Sequence, residues 1–386
     1  MLKRYFKIYK WKNYHFELIV CVLALTILGT LMIGSTQPEV QTRQIAGIIA
    51  GFLIMIFLSF FDYSILTNLG WLLYIGNILL LLAVWLMGSI AGGAGRWLEI
   101  GGFRFQPSEV SKLVTILFFS GFFAKYKKKL GKFSFQAVAL LLIGIICFLV
   151  LEQPDLSTTI VIFWIYICIV VSSKTPGMLL AKMAGVLGLA AGGILFLITR
   201  PNQTIINEYQ YERIMAWLNP SEWSQEAYQQ QNSIMAIGSG RLFGKGMNND
   251  SSLSVINGGF LPESHTDFIM AAVGEELGFM GSFIVITLLF LIVWCCLRIG
   301  MTAKDRKGNI ICAGVGAWIG GQAFINLGVV SGILPNTGLT LPFVSYGLTS
   351  LIVCFAAIGI VLNVGLQSEK NSVSAELKRK ENTSRR

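Results

Sequence analysis

Charge is scarce in this chain of 386 residues, where Asp, Glu, Lys and Arg together supply 13% and hydrophobic residues 54%. That supply cannot build the polar skin of a water-soluble globule; it fits a protein that crosses a membrane several times. Histidine is rarer still, with two residues, which excludes a dedicated imidazole metal cluster. The seven cysteines all fall in apolar runs and no pair brackets an outer loop. They read as packing thiols, with no disulfide framework or zinc site. No nucleic-acid module is visible. The first apolar run resembles a signal-peptide core, but its small-residue cleavage pattern is poor and further spans follow, so it is expected to be a retained helix.

What the chain has instead is hydrocarbon in measured lengths. Apolar runs near the spanning length begin near Glu17, Arg43, Gly70, Glu109, Phe133, Leu156, Lys182, Gly278, Ile310 and Tyr346. They predict an all-α polytopic membrane protein of about ten transmembrane helices. Residues 1–16 form a basic N-terminus, 17–366 the membrane domain, and 367–386 a polar tail expected to be disordered. Most of the 30 Lys and Arg fall on alternate loops: Lys3 to Lys12, Lys125 to Lys132, Lys174 with Lys182, Arg298 to Lys307, and Lys370 to Arg386. Both termini are accordingly expected in the cytoplasm. The net charge of +10 follows from that asymmetry and from anionic membrane lipids, without any nucleic-acid partner.

Two outer loops are long: 89–108, and a larger one over about 200–278 between helices seven and eight. Long connections of this kind are usually functional. A straight helix from Glu263 to Arg298 would reach roughly 54 Å at about 1.5 Å per residue, well past a hydrocarbon core of about 30 Å. It is expected to break near Gly278 or Gly281. The acidic turn carrying Asp267, Glu275 and Glu276 then lies outside the bilayer, with Asp267, Ala271, Gly274 and Gly278 on one helical lane.

A carboxylate at the rim of a membrane is costly unless paired, hydrated or working. Asp267 is the leading candidate for a general base, with Glu263, Glu275 and Glu276 able to push its pKa upward. The plainer alternative is an acid stabilised by free helix amides. Glu109 and Lys112 share a face, either as an internal ion pair or as substrate contacts. Asp155 is suited to capping a helix, and Ser345 with Tyr346 interrupts the approach to the last span. Arg96 and Arg213 are cations on the face where cations are rare, which suggests an anionic ligand such as a pyrophosphate. Trp97, Trp217 and Trp223 read as interfacial anchors before sugar platforms. His265 beside Asp267 is no triad, because no nucleophile is placed. The glycine-dense Gly238 to Gly246 lacks Walker spacing, so it predicts no ATP site.

Five segments taken together resemble a known family: Gly95-Arg-Trp97; Phe105-Gln-Pro-Ser-Glu109 with Lys112; Gln153-Pro-Asp-Leu-Ser157; Pro262-Glu-Ser-His-Thr-Asp-Phe-Ile269 with Glu275-Glu-Leu-Gly278; and Leu341-Pro-Phe-Val-Ser-Tyr-Gly347. In order and spacing, over about residues 15 to 367, they are similar to the shape, elongation, division and sporulation (SEDS) proteins of the RodA, FtsW and SpoVE type. Leu348 departs from the family's usual glycine, and Glu226-Ala-Tyr-Gln229 from its usual aromatic or glycine. The segment Gln230 to Gly246 leans toward the elongation type, RodA.

The resemblance implies a ten-helix peptidoglycan glycosyltransferase of the bacterial cytoplasmic membrane. Such an enzyme polymerises lipid II on the outer face, beside a class B penicillin-binding protein that crosslinks the product. Asp267 matches the acid held essential for polymerisation. Around it Arg96, Trp97, Gln106, Ser108, Glu109, Lys112, Asp155, Arg213, His265, Thr266, Glu275 and Ser345 are the candidate substrate contacts. Arg96, Arg213 and Lys112 would neutralise the departing pyrophosphate, which magnesium or manganese could bridge to an acid. Two rival classes remain at the level of sequence: a flippase, expected to carry midplane charges and internal repeats, and a non-catalytic scaffold, which would tolerate loss of Asp267.

Overall fold

The computed structural model describes residues 11–87, 89–91, 94–100, 103–198, 208–247 and 254–368. The expectations for residues 1–10 and for the tail from 369 lie outside them. The described chain runs α1 (Phe16–Thr36), α2 (Pro38–Ser59), α3 (Tyr63–Asn68), α4 (Gly70–Met87), β1 (Ser89–Ala91), β2 (Ala94–Ile100), β3 (Phe103–Phe105), α5 (Pro107–Lys125), α6 (Phe133–Leu151), α7 (Leu156–Ser172), α8 (Gly177–Ile198), α9 (Glu208–Leu218), α10 (Ser224–Ser239), α11 (Ile269–Thr302), α12 (Arg306–Val330) and α13 (Leu348–Leu366).

The protein is all-α in its bundle, as the hydropathy pattern requires. Ten helices, α1, α2, α4 to α8 and α11 to α13, run between 17 and 34 residues. Among the described residues 6 are long and apolar enough to cross a membrane by length and composition alone. Local rules set their ends. Proline opens α2 and α5, where a missing N–H costs nothing. The carboxylates of Asp155 and Asp305 cap α7 and α12 by accepting from the N–H groups of Thr158 and Gly308.

The last helix is the centre. α13 is almost wholly buried and packs most extensively against α2. Both ends of the described chain meet at one end of the bundle, where the Asn13 carboxamide donates to the carbonyl of Ser368 at 3.2 Å. The lysine-bearing turns after α5, α7 and α11 lie at that same end, by the alternation of the helices.

The two long outer segments are not bare loops. Residues 89–91, 94–100 and 103–105 form an antiparallel sheet of order β1-β2-β3, a local exception to the all-α expectation. Its β2–β3 register sets Glu99 against Arg104, which bond at 3.0 Å. The larger loop folds into α9 and α10. Helix α11 breaks at Gly278 (φ 67°, ψ −160°), in the place that the length limit demands.

A broken helix frees backbone groups that hydrocarbon cannot satisfy, and the glycine-dense 240–246 segment supplies the partners. The N–H groups of Lys245 and Gly246 donate to the carbonyls of Glu275 and Glu276, while Phe279 and Met280 donate to the carbonyls of Arg241 and Leu242, all within 3.1 Å. A Cβ on Gly278 would stand 2.3 Å from the Gly244 nitrogen. Gly240 and Gly244 likewise serve close backbone packing, against the carbonyls of Gly274 and Glu276. We expect Gly278→Val to lower stability by at least the ~1–3 kcal/mol of a forced backbone conformation, read as a lower thermal transition of the detergent-purified protein; an unchanged transition would reject this account of the break.

Candidate active site

Elements scattered through the sequence reach the other end of the bundle. Asp267 lies in the turn 261–268, two residues before α11 begins. It is therefore not on a helical lane with Ala271, Gly274 and Gly278, because the amides of Thr266 and Phe268 are drawn back to the carbonyl of Glu263. Three successive carbonyls of this turn are held from outside. Tyr346 N–H donates to His265 O at 2.9 Å, the Ser345 hydroxyl to Thr266 O at 2.6 Å, and the Asn326 carboxamide to Asp267 O at 2.7 Å. The peptide carrying Asp267 is thereby fixed while its carboxyl is left for chemistry.

Part of Asp267 still meets solvent, but protein crowds its carboxyl. Burial pushes its pKa from 3.8 up to about 6, the charge of Glu263 adds to the rise, and Arg213 and Arg96 pull against it before a smaller upward push from Asp155. Glu263 is the like charge that acts here; Glu275 and Glu276 are not, being turned away. Gly338, at φ 72°, leaves room beside the acid: a Cβ there would stand 3.2 Å from Asp267 Oδ2 and 3.5 Å from an Arg213 nitrogen. Arg213 also donates to Asn336 O at 3.5 Å. Arg96 reaches from β2 and donates to the carbonyls of Gln153 and Pro154. Two guanidiniums from distant elements therefore flank one carboxyl.

The remaining expected contacts divide by burial. Gln106 donates to Ser108 and to Asp155 Oδ2, and Ser108 donates to the same oxygen, all at 3.2–3.3 Å. Ser108 and Asp155 are buried, so this group ties the start of α5 to that of α7. Trp97 and Thr266 are half-buried, and Thr266 bonds Glu263. His265 is held by its backbone beneath Tyr346, and burial lowers its pKa.

Four of the expected contacts are engaged within the protein, Glu109 and Lys112 as the internal ion pair that was one of their two readings. Lys112 is wholly buried, donating to Glu109 at 2.7 Å and to Gln322 at 2.9 Å beneath the Trp318 ring. Neither member of that pair presents charge to a ligand. Glu275 accepts from Lys245 and from the amides of Val255 and Ile256, which spends its charge within the protein. The Ser345 hydroxyl accepts from Leu341 N–H and donates to Thr266 O, which orients the turn.

Asn326, Gln322 and Gly338 escaped the sequence reading. Gln322 accepts from Trp318 and Lys112 and donates to Thr340 O at 2.8 Å; Asn326 donates to Leu339 O as well as to Asp267. The signal was present as two carboxamides four apart, on one face of an apolar run.

With this geometry in place, comparison with known proteins is informative. A model of the cell cycle protein family FtsW/RodA/SpoVE matches residues 6–370. A "probable peptidoglycan glycosyltransferase FtsW" of Bacillus subtilis is 33% identical over 376 residues, covering 92% of this chain and 91% of its own. One of Coxiella burnetii is 32% identical, covering 92% and 97%. A chain from a structure of a peptidoglycan synthase complex coordinating polymerization and crosslinking superposes with TM-score 0.78 at 27% identity, over 92% of this chain and 98% of that one. The rod shape determining protein RodA of Thermus thermophilus superposes with TM-score 0.67 at 26% identity, over 93% and 99%.

Lys112→Met strands the buried Glu109 charge and should cost about 3–5 kcal/mol. Asp267 behaves oppositely. Its folded pKa of about 6 exceeds the ordinary 3.8, so ionising it weakens the fold as pH rises through that window. Asp267→Asn should therefore melt at the same or a higher temperature at pH 7.5. Thermal transitions of the two purified variants check both signs.

Proposed function

We propose, from the premise that this chain belongs to the FtsW, RodA and SpoVE family of cell cycle proteins, that Asp267 is the base of its peptidoglycan glycosyltransferase reaction. The chain is a multi-pass membrane glycosyltransferase of peptidoglycan synthesis, as its relatives and their bundle are. The substrate we assign is lipid II, with its polyprenyl chain in the bilayer and its sugars at the Asp267 end. That end faces outward from the cytoplasmic membrane, a placement supported by the lysine-rich turns at the opposite end.

Asp267 carries the assignment. A carboxyl with a pKa near 6 is ionised at neutral pH yet basic enough to take a proton in the transition state. It receives the proton of the acceptor glucosamine 4-hydroxyl as that oxygen bonds to the anomeric carbon of the donor. The bond from that carbon to the pyrophosphate breaks, and attack from the opposite face inverts the centre. Arg96 and Arg213, already in the field of this carboxyl, neutralise the charge that develops on the leaving pyrophosphate. Lys112 is withdrawn from that role.

Among the described residues no three of His, Cys, Asp or Glu gather as metal donors. No step is therefore routed through a magnesium or manganese ion. A neighbouring fold belongs to a complex that couples polymerization to crosslinking, which supports a class B penicillin-binding protein as partner.

Purified protein given labelled lipid II, with and without such a partner, should yield glycan chains on a gel. Asp267→Asn should lower their synthesis by at least the ~100-fold typical of a lost general base. Retained synthesis by the folded variant would reject the assignment, and no chains from the parent under any pairing would move the weight to a flippase or scaffold. The single-turnover rate should fall about tenfold per pH unit below the pKa of about 6. Gly338→Ala should slow the reaction about tenfold by driving a methyl group between Asp267 and Arg213.

A further inference from the structure

We infer that the bundle end opposite Asp267 carries a binding site for the headgroup of an anionic phospholipid, in a cavity of about 420 Å³ between α4, α5 and the start of α12. α5 fixes its location, since that helix starts at Pro107 beside the Asp155 cluster and ends at Lys125 on the cavity's rim. Two ammonium groups distant in sequence, Lys125 and Lys307, line the cavity together with Asn68, Trp71, Phe122 and Tyr126.

The cations are spare. Lys307 donates to the Asn68 carboxamide at 2.8 Å, and Lys125 and Lys129 both stand over the Tyr126 ring, 5.6 and 5.5 Å from its centre. Among the described residues no carboxylate pairs with any of the three. The acids closest in sequence to the rim are already engaged: Asp62 accepts from Ser64 and Gln367, and Asp305 from Tyr63 and Gly308. Several positive charges at a membrane interface, uncompensated by protein, attract anionic headgroups.

The other wall is apolar. Trp71 packs edge-on against Phe118 and Phe122, with centroids 4.9 and 6.3 Å apart, and remains 49% exposed. Such a wall suits the glycerol and first methylenes of a lipid, which a free phosphate does not possess. A zwitterionic headgroup would bring its own ammonium against the lysines. The occupant that satisfies both walls is a phosphodiester lipid with net negative charge.

Native mass spectrometry of the full-length chain in detergent, offered equal phosphatidylglycerol and phosphatidylcholine of one acyl composition, tests the site. Phosphatidylglycerol should be retained at least tenfold over phosphatidylcholine. Lys125→Gln with Lys307→Gln should reduce its retention about fivefold per lysine. Lys125→Glu alone, which leaves the Lys307–Asn68 bond intact, should reduce it too if the double variant fails to fold. Lys127→Gln with Lys128→Gln removes exposed lysines that do not line the cavity and should change nothing. Equal retention of both lipids, an equal loss in the Lys127/Lys128 variant, or displacement by millimolar inorganic phosphate would overturn the assignment. Polymerisation is not read, so the outcome stands apart from the fate of Asp267.

Discussion

Every backbone group in hydrocarbon must find its partner within the protein, and the break in α11 shows how much of this structure follows from that requirement. Ending the helix at Gly278 exposes carbonyls and amides on both sides. The 240–246 segment meets them as an added strand would, and Gly240, Gly244 and Gly278 are the residues that let two backbones come so near. Bracing the break also brings Lys245 to Glu275. The outer loop is thereby anchored to the start of α11, and the turn bearing Asp267 is held at the mouth of the bundle.

The site then depends on carboxamides set inside an apolar helix. Gln322 and Asn326 of α12 each serve two masters: Gln322 joins the buried Glu109–Lys112 pair to Thr340, and Asn326 joins Leu339 to Asp267. In low dielectric such bonds are strong when made and costly when missing. The ion pair, the 339–347 link and the acid turn therefore behave as one unit. Residues that never touch a ligand are expected to be as sensitive as those that do.

Much of the bundle was legible because a bilayer fixes element length so tightly. Nine of the ten expected runs begin within about five residues of a long helix, and the tenth, near Gly278, marks the break inside α11. The break itself followed from length alone. Asp267 could be singled out because an acid at a rim is conspicuous against 54% hydrophobic residues. What could not be read was direction. Sequence left Glu109 and Lys112 open between an internal pair and substrate contacts and placed Glu275 near the site; packing shows the charges of Lys112 and Glu275 turned inward to Glu109 and Lys245. The short sheet over 89–105 was hidden for a different reason: its pairing depends on register between brief segments, to which hydropathy is blind.

The central place of α13 bears on how the molecule is made. This helix is made after every other described helix, yet it is almost wholly buried, and its main neighbour α2 begins some 300 residues earlier. The first helices must therefore wait in the bilayer without their core, and the contacts that define the fold span most of the chain's length. Contacts of such sequence separation form slowly. A nascent chain stopped short of residue 348 would hold the other described helices without the surface that α13 buries against α2, so until α13 emerges lipid can occupy the space it is about to fill.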